Sequence, residues 1–297
     1  MIRKKLRLVV LFVMICISLN SQIYIKSEYF GSSKFRDADN DKTGGKGDFK
    51  MIQGGFQIPI SVKMNKLNQP TAWVVATEVA YGKMNNSNLT KADCLDELLN
   101  GQLAVMHTRP LNEKWFMIAM LGGGIYTDLS EFSGQNFLGQ GGVLFVRKIN
   151  TNLDLGGGIA INNMLGYPMA FFALYVDWHK NGKFDFNISM TNQFELSAGV
   201  KLNELWKLRL VGEFNGMSAI VDKDGKSQIF VHNWGVVGIQ PVLNPGKSFL
   251  ISMTAGVSVM RDAYYQKRTL KAFFADTEDY PHFGASPYIS VGIGYGF

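Results

Sequence analysis

The chain has 297 residues and a formal net charge of +6, much of which lies at its beginning. Residues 1–21 contain four of the 30 lysines and arginines and none of the 24 acidic residues, which leaves +2 for the rest. That remainder has no basic run that would favour nucleic-acid binding. Cys94 is its single cysteine, which excludes an internal disulfide bond and a thiolate metal cluster.

The first 21 residues have the layout of a secretory signal peptide. The basic start consists of Arg3, Lys4, Lys5 and Arg7. An apolar run over 8–17 and a small polar exit over 18–21 follow it. This run is shorter than the roughly 20 apolar residues that a spanning helix needs. We predict export, cleavage after Ser21, and one mature domain over residues 22–297.

Segments that alternate apolar and polar residues fill most of the mature chain. Phe184, Phe186 and Ile188, for example, alternate with polar neighbours, and this period of two is typical of a strand. Fourteen strands are predicted in all: 23–30, 49–64, 71–83, 101–109, 115–126, 137–148, 153–163, 168–178, 184–191, 194–202, 206–219, 227–242, 247–261 and 286–297. They predict an all-β transmembrane, antiparallel up-and-down β-barrel of about 14 strands, with 12 as the alternative.

Short connections with a common vocabulary join these segments in pairs. Four of them begin with Leu-Asn, at Leu67, Leu111, Leu202 and Leu243. An asparagine side chain closes such a turn by bonding to backbone two residues on. Tryptophans stand beside the short turns, at Trp73, Trp115, Trp178 and Trp206. Since indoles prefer the membrane interface, we predict that these four form one girdle at the periplasmic end.

Longer polar stretches lie between the pairs and are predicted to be extracellular loops. They cover 31–48, 85–100, 127–136, 221–227 and 262–285. The acidic residues from Asp37 to Asp48 echo a calcium loop, but Lys42 stands where the sharp turn needs glycine. We therefore interpret this stretch as a solvated loop and predict neither a metal nor a cofactor.

The last ten residues form the clearest strand, with apolar side chains at every second position and a terminal aromatic. This ending resembles the C-terminal signal of bacterial outer-membrane barrels, with Tyr295 and Phe297 at the aromatic positions. Together with the Leu-Asn turns, their tryptophans and the signal peptide before Gln22, the chain resembles uncharacterised outer-membrane β-barrel proteins common in Bacteroidota. The resemblance implies an outer-membrane location, a lipid surround and insertion by the barrel-assembly machinery.

Charged residues at inward positions of consecutive strands are the candidate functional group. The six are Asp185, Glu195, Lys201, Lys207, Arg209 and Glu213. Their mixed signs predict cross-strand ion pairs, which either line a pore or fill a closed barrel. Residues 115–126 and 168–176 are apolar on both faces, so their inward side chains need an apolar partner such as a loop, a ligand or each other.

Three functions fit these features. The first is a monomeric passive channel or small-solute transporter, because about 14 strands lie between filled 8-stranded barrels and open 16-stranded porins. The second is a closed structural or surface-interaction barrel, and the third is a carrier for hydrophobic molecules. We do not expect an enzyme, because His107, His179, His232 and His282 show no nucleophile or partner pattern.

Overall fold

A computed structural model describes residues 21–190, 193–223, 225–246, 248–275 and 279–296 of the chain. The predicted signal peptide up to residue 20, and Phe297, lie outside these residues. The strands are β1 Gln22–Arg36, β2 Lys42–Met64, β3 Pro70–Ser87, β4 Glu97–Pro110, β5 Trp115–Thr127, β6 Phe137–Lys148, β7 Leu153–Asn162, β8 Met169–Lys180, β9 Phe184–Met190, β10 Phe194–Lys201, β11 Trp206–Lys223, β12 Lys226–Gly246, β13 Phe249–Lys267, β14 His282–Phe283 and β15 Ser286–Tyr295. A 3₁₀ turn over Gly134–Asn136 and a short helix over Leu270–Phe273 complete the elements. Within the described residues, no helix is both long and apolar enough to cross a membrane.

The strands form one closed antiparallel sheet. Each strand from β1 to β13 pairs with the next in sequence, β13 pairs with β15, and β15 returns to β1. The two-residue β14 only bridges the outer ends of β1 and β13. The wall therefore has 14 strands in the described part of the chain, which confirms the predicted fold class and removes the 12-strand alternative.

The two faces of the wall differ as the alternation predicts. On β15, Ile289, Val291 and Ile293 are 41–48% exposed, whereas Tyr288 and Ser290 at the alternate positions are buried. Side chains alternate across a strand, so the apolar set faces outward on the barrel. An apolar exterior around a polar interior is the arrangement of a membrane-spanning barrel.

The short turns use asparagine as predicted. The Asn112 Oδ1 accepts hydrogen bonds from the backbone of Lys114 and Trp115, and Asn203 does the same for Leu205 and Trp206. The turn after β2 differs, because the capping residue is Asn65 rather than the asparagine of the Leu-Asn pair. Pro59 lies at a bulge in β2, seen as a register shift between Pro59 and Ser61, because proline has no N–H to donate to the neighbouring strand.

Strand lengths are unequal, and here the sequence prediction needs correction. Much of the predicted loops 31–48, 85–100 and 221–227 and part of 262–285 are strand, because β1 to β4 and β11 to β13 extend beyond their predicted ends. Aromatic residues in these extensions, such as Phe35, are buried inside the barrel. They form a hydrophobic core against which the extended parts of the strands pack. On the opposite side β9 and β10 have only 7 and 8 residues.

Candidate solute chamber and its outer closure

The half of the barrel nearest the short turns encloses a polar chamber. Two adjoining cavities of about 440 and 430 Å³ share Tyr24, Gln53, Glu78 and Asn215 as lining residues. Their linings reach Gln22 and Gly294, at the turn end of β1 and β15. Volumes of this size are in the range of small-molecule sites, which span about 300–1,000 Å³.

Ion pairs cover one wall of this chamber. The Lys26 Nζ lies 2.9 Å from Glu28 and 2.7 Å from Glu213, and both carboxylate side chains are almost fully buried. Arg209 pairs with Glu195 and also donates to Ser197 and Gln240. A buried charge needs such a partner, because desolvation alone costs several kcal/mol per ion on the order-of-magnitude scale for protein interiors.

The six charged residues predicted from the sequence are divided between two places. Glu195, Arg209 and Glu213 line the second cavity of the chamber. Asp185, Lys201 and Lys207 line a hollow at the turn end, where the Lys207 Nζ lies 2.5 Å from Asp185. Lys201 bonds instead to Glu204 in the adjoining turn. The predicted cross-strand ion pairs are thus present, whereas the role of these residues as pore lining stays a prediction.

Sequence reasoning missed the β1 side of the chamber. Tyr24, Lys26 and Glu28 occupy alternate positions and face inward, but the predicted segment is short and follows directly on the predicted signal peptide. The signal that identifies them is their register against β15, where Lys26 stands opposite Gly292 and Glu28 opposite Ser290. The small side chains of β15 leave room for the larger charged ones.

Above the chamber, aromatic side chains fill the barrel; we call this the outer core. Phe30, Phe49, Trp234 and Tyr288 come from four strands and are at most 3% exposed. Their ring centroids lie 4.9–5.5 Å apart in contacts centred on Phe30. Gly82 permits this packing, because a Cβ there would come within 2.6 Å of the Phe49 ring and 3.0 Å of the Met217 sulfur.

Hydrogen bonds join opposite walls at the same level. Asn100 on β4 donates to the carbonyl of Ser218 on β11 and accepts from its backbone N–H. The Asn136 Nδ2 donates to the carbonyl of Ile220 at 2.7 Å. These side chains satisfy backbone groups of β11 above Phe214, where pairing with β10 ends. The upper part of β11 is therefore fixed across the interior.

A buried arginine completes the outer core. The Arg261 guanidinium donates to the carbonyls of Gly31 and Gly47 and lies 4.1 Å from the Phe283 ring centroid. His232 is fully buried beside it, bonded through Nδ1 to the carbonyl of Asp262 and packed on Phe49. Both residues hold strands together and face no cavity of the chamber.

Comparison with known proteins places the chain in a family. The model of a family described as a domain of unknown function, DUF6268, matches residues 17–296. The chain belongs to this family. No curated protein matches it. The bacterial group remains a prediction from the resemblance.

Solved barrels are similar to the DUF6268 chain in outline. A structure titled "NanC porin" has a TM-score of 0.35 at 8% identity, covering 92% of this chain and 98% of that one. A KdgM porin in complex with oligogalacturonate has a TM-score of 0.30 at 8% identity, with coverages of 92% and 99%. The transport unit of the autotransporter AIDA-I from Escherichia coli has 0.34 at 12% identity, with coverages of 93% and 90%. Scores this low do not bear on function.

The predicted girdle tryptophans of this family member stand at the turn end of the wall. Trp73, Trp115 and Trp206 are 38–45% exposed, and each lies within a few residues of a short turn. Trp178 is half-buried against Phe186. Tyr295, half of the predicted assembly signal, contacts Phe249 beside it. That the tryptophans lie at the membrane interface, and that Tyr295 is recognised by the assembly machinery, stay predictions.

The apolar inward residues of β5 and β8 contact each other, and Phe171 of β8 also contacts Phe273 in the loop between β13 and β14. Phe116 on β5 lies against Tyr175 on β8, with ring centroids 6.4 Å apart. Met120 lines the first cavity of the chamber.

The acidic stretch that begins at Asp37 forms a turn. The Asp37 carboxylate accepts hydrogen bonds from the backbone N–H groups of Asp39 and Asp41.

Cys94 lies in the loop between β3 and β4, and the reactivity of its thiol measures whether the outer core opens. Its side chain is buried against Met84, and burial raises the pKa of the thiol to about 12. At pH 7–9 the thiol is therefore neutral and enclosed, and we expect maleimide labelling of the folded barrel to be slow. A Cys94→Ala, Ser130→Cys variant, with its thiol on an exposed loop, is the control and should label at once. Equal labelling rates would show that the outer core opens freely.

Proposed function

We propose that this DUF6268 protein is an outer-membrane small-solute transporter that is closed at its outer end in the state described here. The observation that carries the proposal is the contrast between the two halves of the barrel. The periplasmic half holds a polar, ion-paired chamber, whereas the outer half is filled by the buried rings of Phe30, Phe49, Trp234 and Tyr288. A solute reaches the chamber from the turn end, and passage outward requires the outer core to move.

Location in the outer membrane is part of the same proposal. Strand pairing closes the 14 strands of the described residues into one ring with an apolar exterior, which is the form that a β-structure takes when it spans a membrane. The short turns and both described ends of the barrel lie on one side, which is the periplasmic side in bacterial barrels. Signal-peptide cleavage, insertion by the barrel-assembly machinery and a monomeric state belong to the proposal as well.

The proposal includes no catalytic step. His107 stacks on Trp73, and His179 lies beside Asp177 at the turn end. His232 is enclosed by aromatic rings, and His282 bonds to the carbonyl of Tyr280. None of these contacts places a histidine beside a serine or cysteine nucleophile within the described residues.

Sidedness of access to the chamber tests the proposal. In a Cys94→Ala background, Gln53→Cys puts one thiol where the two cavities meet. In vesicles of defined barrel orientation, a charged, membrane-impermeant thiol reagent should modify it from the turn side and not from the loop side.

Two control variants calibrate this measurement. Glu204→Cys in an exposed turn should react from the turn side, and Ser130→Cys from the loop side. Reaction of Gln53→Cys from both sides at equal rates would contradict the closed outer end. No reaction from either side would instead favour a filled structural barrel.

A further inference from the structure

The wall of the barrel has a gap on the side of β9 and β10. These strands have 7 and 8 residues, whereas a strand that crosses the hydrocarbon region needs about 9–11. β8 pairs with β9 only from Asp177 to Lys180, so Met169 to Val176 have no strand partner on that side among the residues that the structure describes. β11 likewise loses β10 above Phe214. Above that point the β11 backbone bonds instead to the side chains of Asn100 and Asn136. We call the opening between β8 and the upper part of β11 the notch.

The notch lies at the depth of the membrane. Phe214 is 8 residues above Trp206, which stands at the turn end of β11. At about 3.4 Å per residue and a tilt of about 40°, this places the floor of the notch roughly 20 Å above that end. The apolar band of such a barrel is about 25 Å tall, so the notch opens within the band and toward the outer leaflet.

Apolar side chains surround the notch on the outside. Met190, Phe194 and Phe214 form one cross-strand row along its floor and are 40–42% exposed. On the β8 edge, Phe172 is 95% exposed and Leu174 is 69% exposed. At this depth the surrounding medium is acyl chain, and these side chains are compatible with it.

Loop residues cover the top of the notch. Arg268 donates to the carbonyls of Asn163 and Met164 above β8 and to the Ser227 hydroxyl on β12. The short helix that follows places Phe273 against Phe171 of β8, with ring centroids 5.5 Å apart. The notch is thus bounded above by protein and is open at the side.

Behind the notch lies the polar chamber. Gln193 at the tip of the β9–β10 hairpin lines the second cavity and accepts a hydrogen bond from Asn215, which lines both cavities. Asn187 and Ser189 of β9 belong to the same lining. The amide and hydroxyl groups of the chamber therefore lie directly behind the apolar side chains that surround the notch.

From this juxtaposition we propose that the notch is a side entrance through which a single-chain acyl amphiphile passes from the outer leaflet into the chamber. The headgroup meets the amides of Asn215, Gln193 and Asn187, and the acyl chain stays against Phe194 and Phe214. This inference rests on the proposed function, since it adds a route for membrane amphiphiles into the same chamber that water-soluble solutes reach from the turn end.

Photolabelling with a 16-carbon fatty acid that carries a diazirine on its chain tests the entrance. The full barrel in phosphatidylcholine vesicles should be labelled at inward residues beside the notch, among them Asn215 and Met217, as read by mass spectrometry of peptides. Excess unlabelled palmitic acid should abolish this labelling and leave the labelling of outward residues unchanged. Labelling of outward residues alone would overturn the proposal.

Matched variants separate entry from general binding. Asn215→Trp fills the notch from the inside and should lose the competed labelling, whereas Gln140→Trp, on the continuous wall at β6, should keep it. Equal labelling of both variants would overturn the entrance, and the heat-modified gel shift of each variant checks that it is folded. If the barrel conducts no current and no residue is labelled, the side entrance is refuted and the proposed function stands. If the wild-type barrel conducts steadily, the proposed function itself is refuted.

Discussion

Replacing Trp234 with alanine is expected to open the outer end of the barrel and to cost about 3–5 kcal/mol of unfolding free energy, the usual range for a buried tryptophan. Trp234 is 1% exposed and touches Phe30, Phe49 and His232, which come from three strands. Its removal leaves a void next to Asn215 and Met217, which line the first cavity together with it. The chamber would then extend into the outer core.

Single-channel recording and urea unfolding in lipid vesicles measure the two effects. The variant should show salt-dependent current steps that are absent from the wild type, together with a lower unfolding midpoint. Phe172→Ala is the matched control, because that aromatic is 95% exposed to the outside and contributes nothing to the outer core. A destabilised Trp234→Ala barrel that stays silent would show that Trp234 supports the fold without closing the passage.

Replacing Lys26 with methionine is expected to destabilise the barrel by about 3–5 kcal/mol, the usual cost of removing one partner from a buried ion pair. Lys26 is the cation shared by Glu28 and Glu213, whose side chains are 1% and 7% exposed. Glu28 keeps a hydrogen bond from Tyr288, but Glu213 loses its ion-pair partner. Two carboxylates would remain buried without a counter-charge.

A compensated variant separates charge from packing. Adding Glu28→Gln and Glu213→Gln to Lys26→Met should recover most of the lost stability, because the set is then neutral. Lys83→Met removes the exposed pair with Glu97 and should leave the urea midpoint unchanged. If Lys26→Met unfolds at the wild-type midpoint, the triad contributes nothing to holding the chamber wall.

The alternation of side chains was enough to predict the fold from the sequence. A one-residue shift would turn every side chain of a strand to the wrong face, so period two fixes which residues meet lipid. Strands such as β9, with Phe184, Phe186 and Ile188 on one face, carry that signal without help from the rest of the chain. The asparagine turns are equally local, and Asn112 and Asn203 close them within three residues.

The outer core and the notch depend on contacts that no local pattern reveals. Phe35 stands in a stretch rich in glycine and charged residues that predicts a loop over 31–48. It is a strand residue because Phe283, far along the chain, packs on it. Phe49 begins a predicted strand, but its contact with Trp234 could not be predicted from local sequence. The notch likewise arises because β9 and β10 are shorter than the strands beside them. Its position is defined only by the register of those strands, which the sequence does not reveal.

The sequence predicts ion pairs on the inner wall, but not all of the residues that form them. The pairs of Asp185 with Lys207 and of Glu195 with Arg209 join residues of neighbouring or near-neighbouring strands, which sequence proximity makes visible. The pair between Lys26 and Glu213 joins residues 187 positions apart, across the closure of the barrel. Closure is a global property, so this partner could not be read from the sequence.

Recording the wild-type barrel in a planar lipid bilayer tests the closed outer end most directly. With Phe30, Phe49, Trp234 and Tyr288 in place, we predict a folded, inserted barrel that stays silent at moderate voltage. Insertion is established independently by the gel shift of the recovered protein. Steady, salt-dependent current steps from this wild-type barrel would contradict the closed outer end.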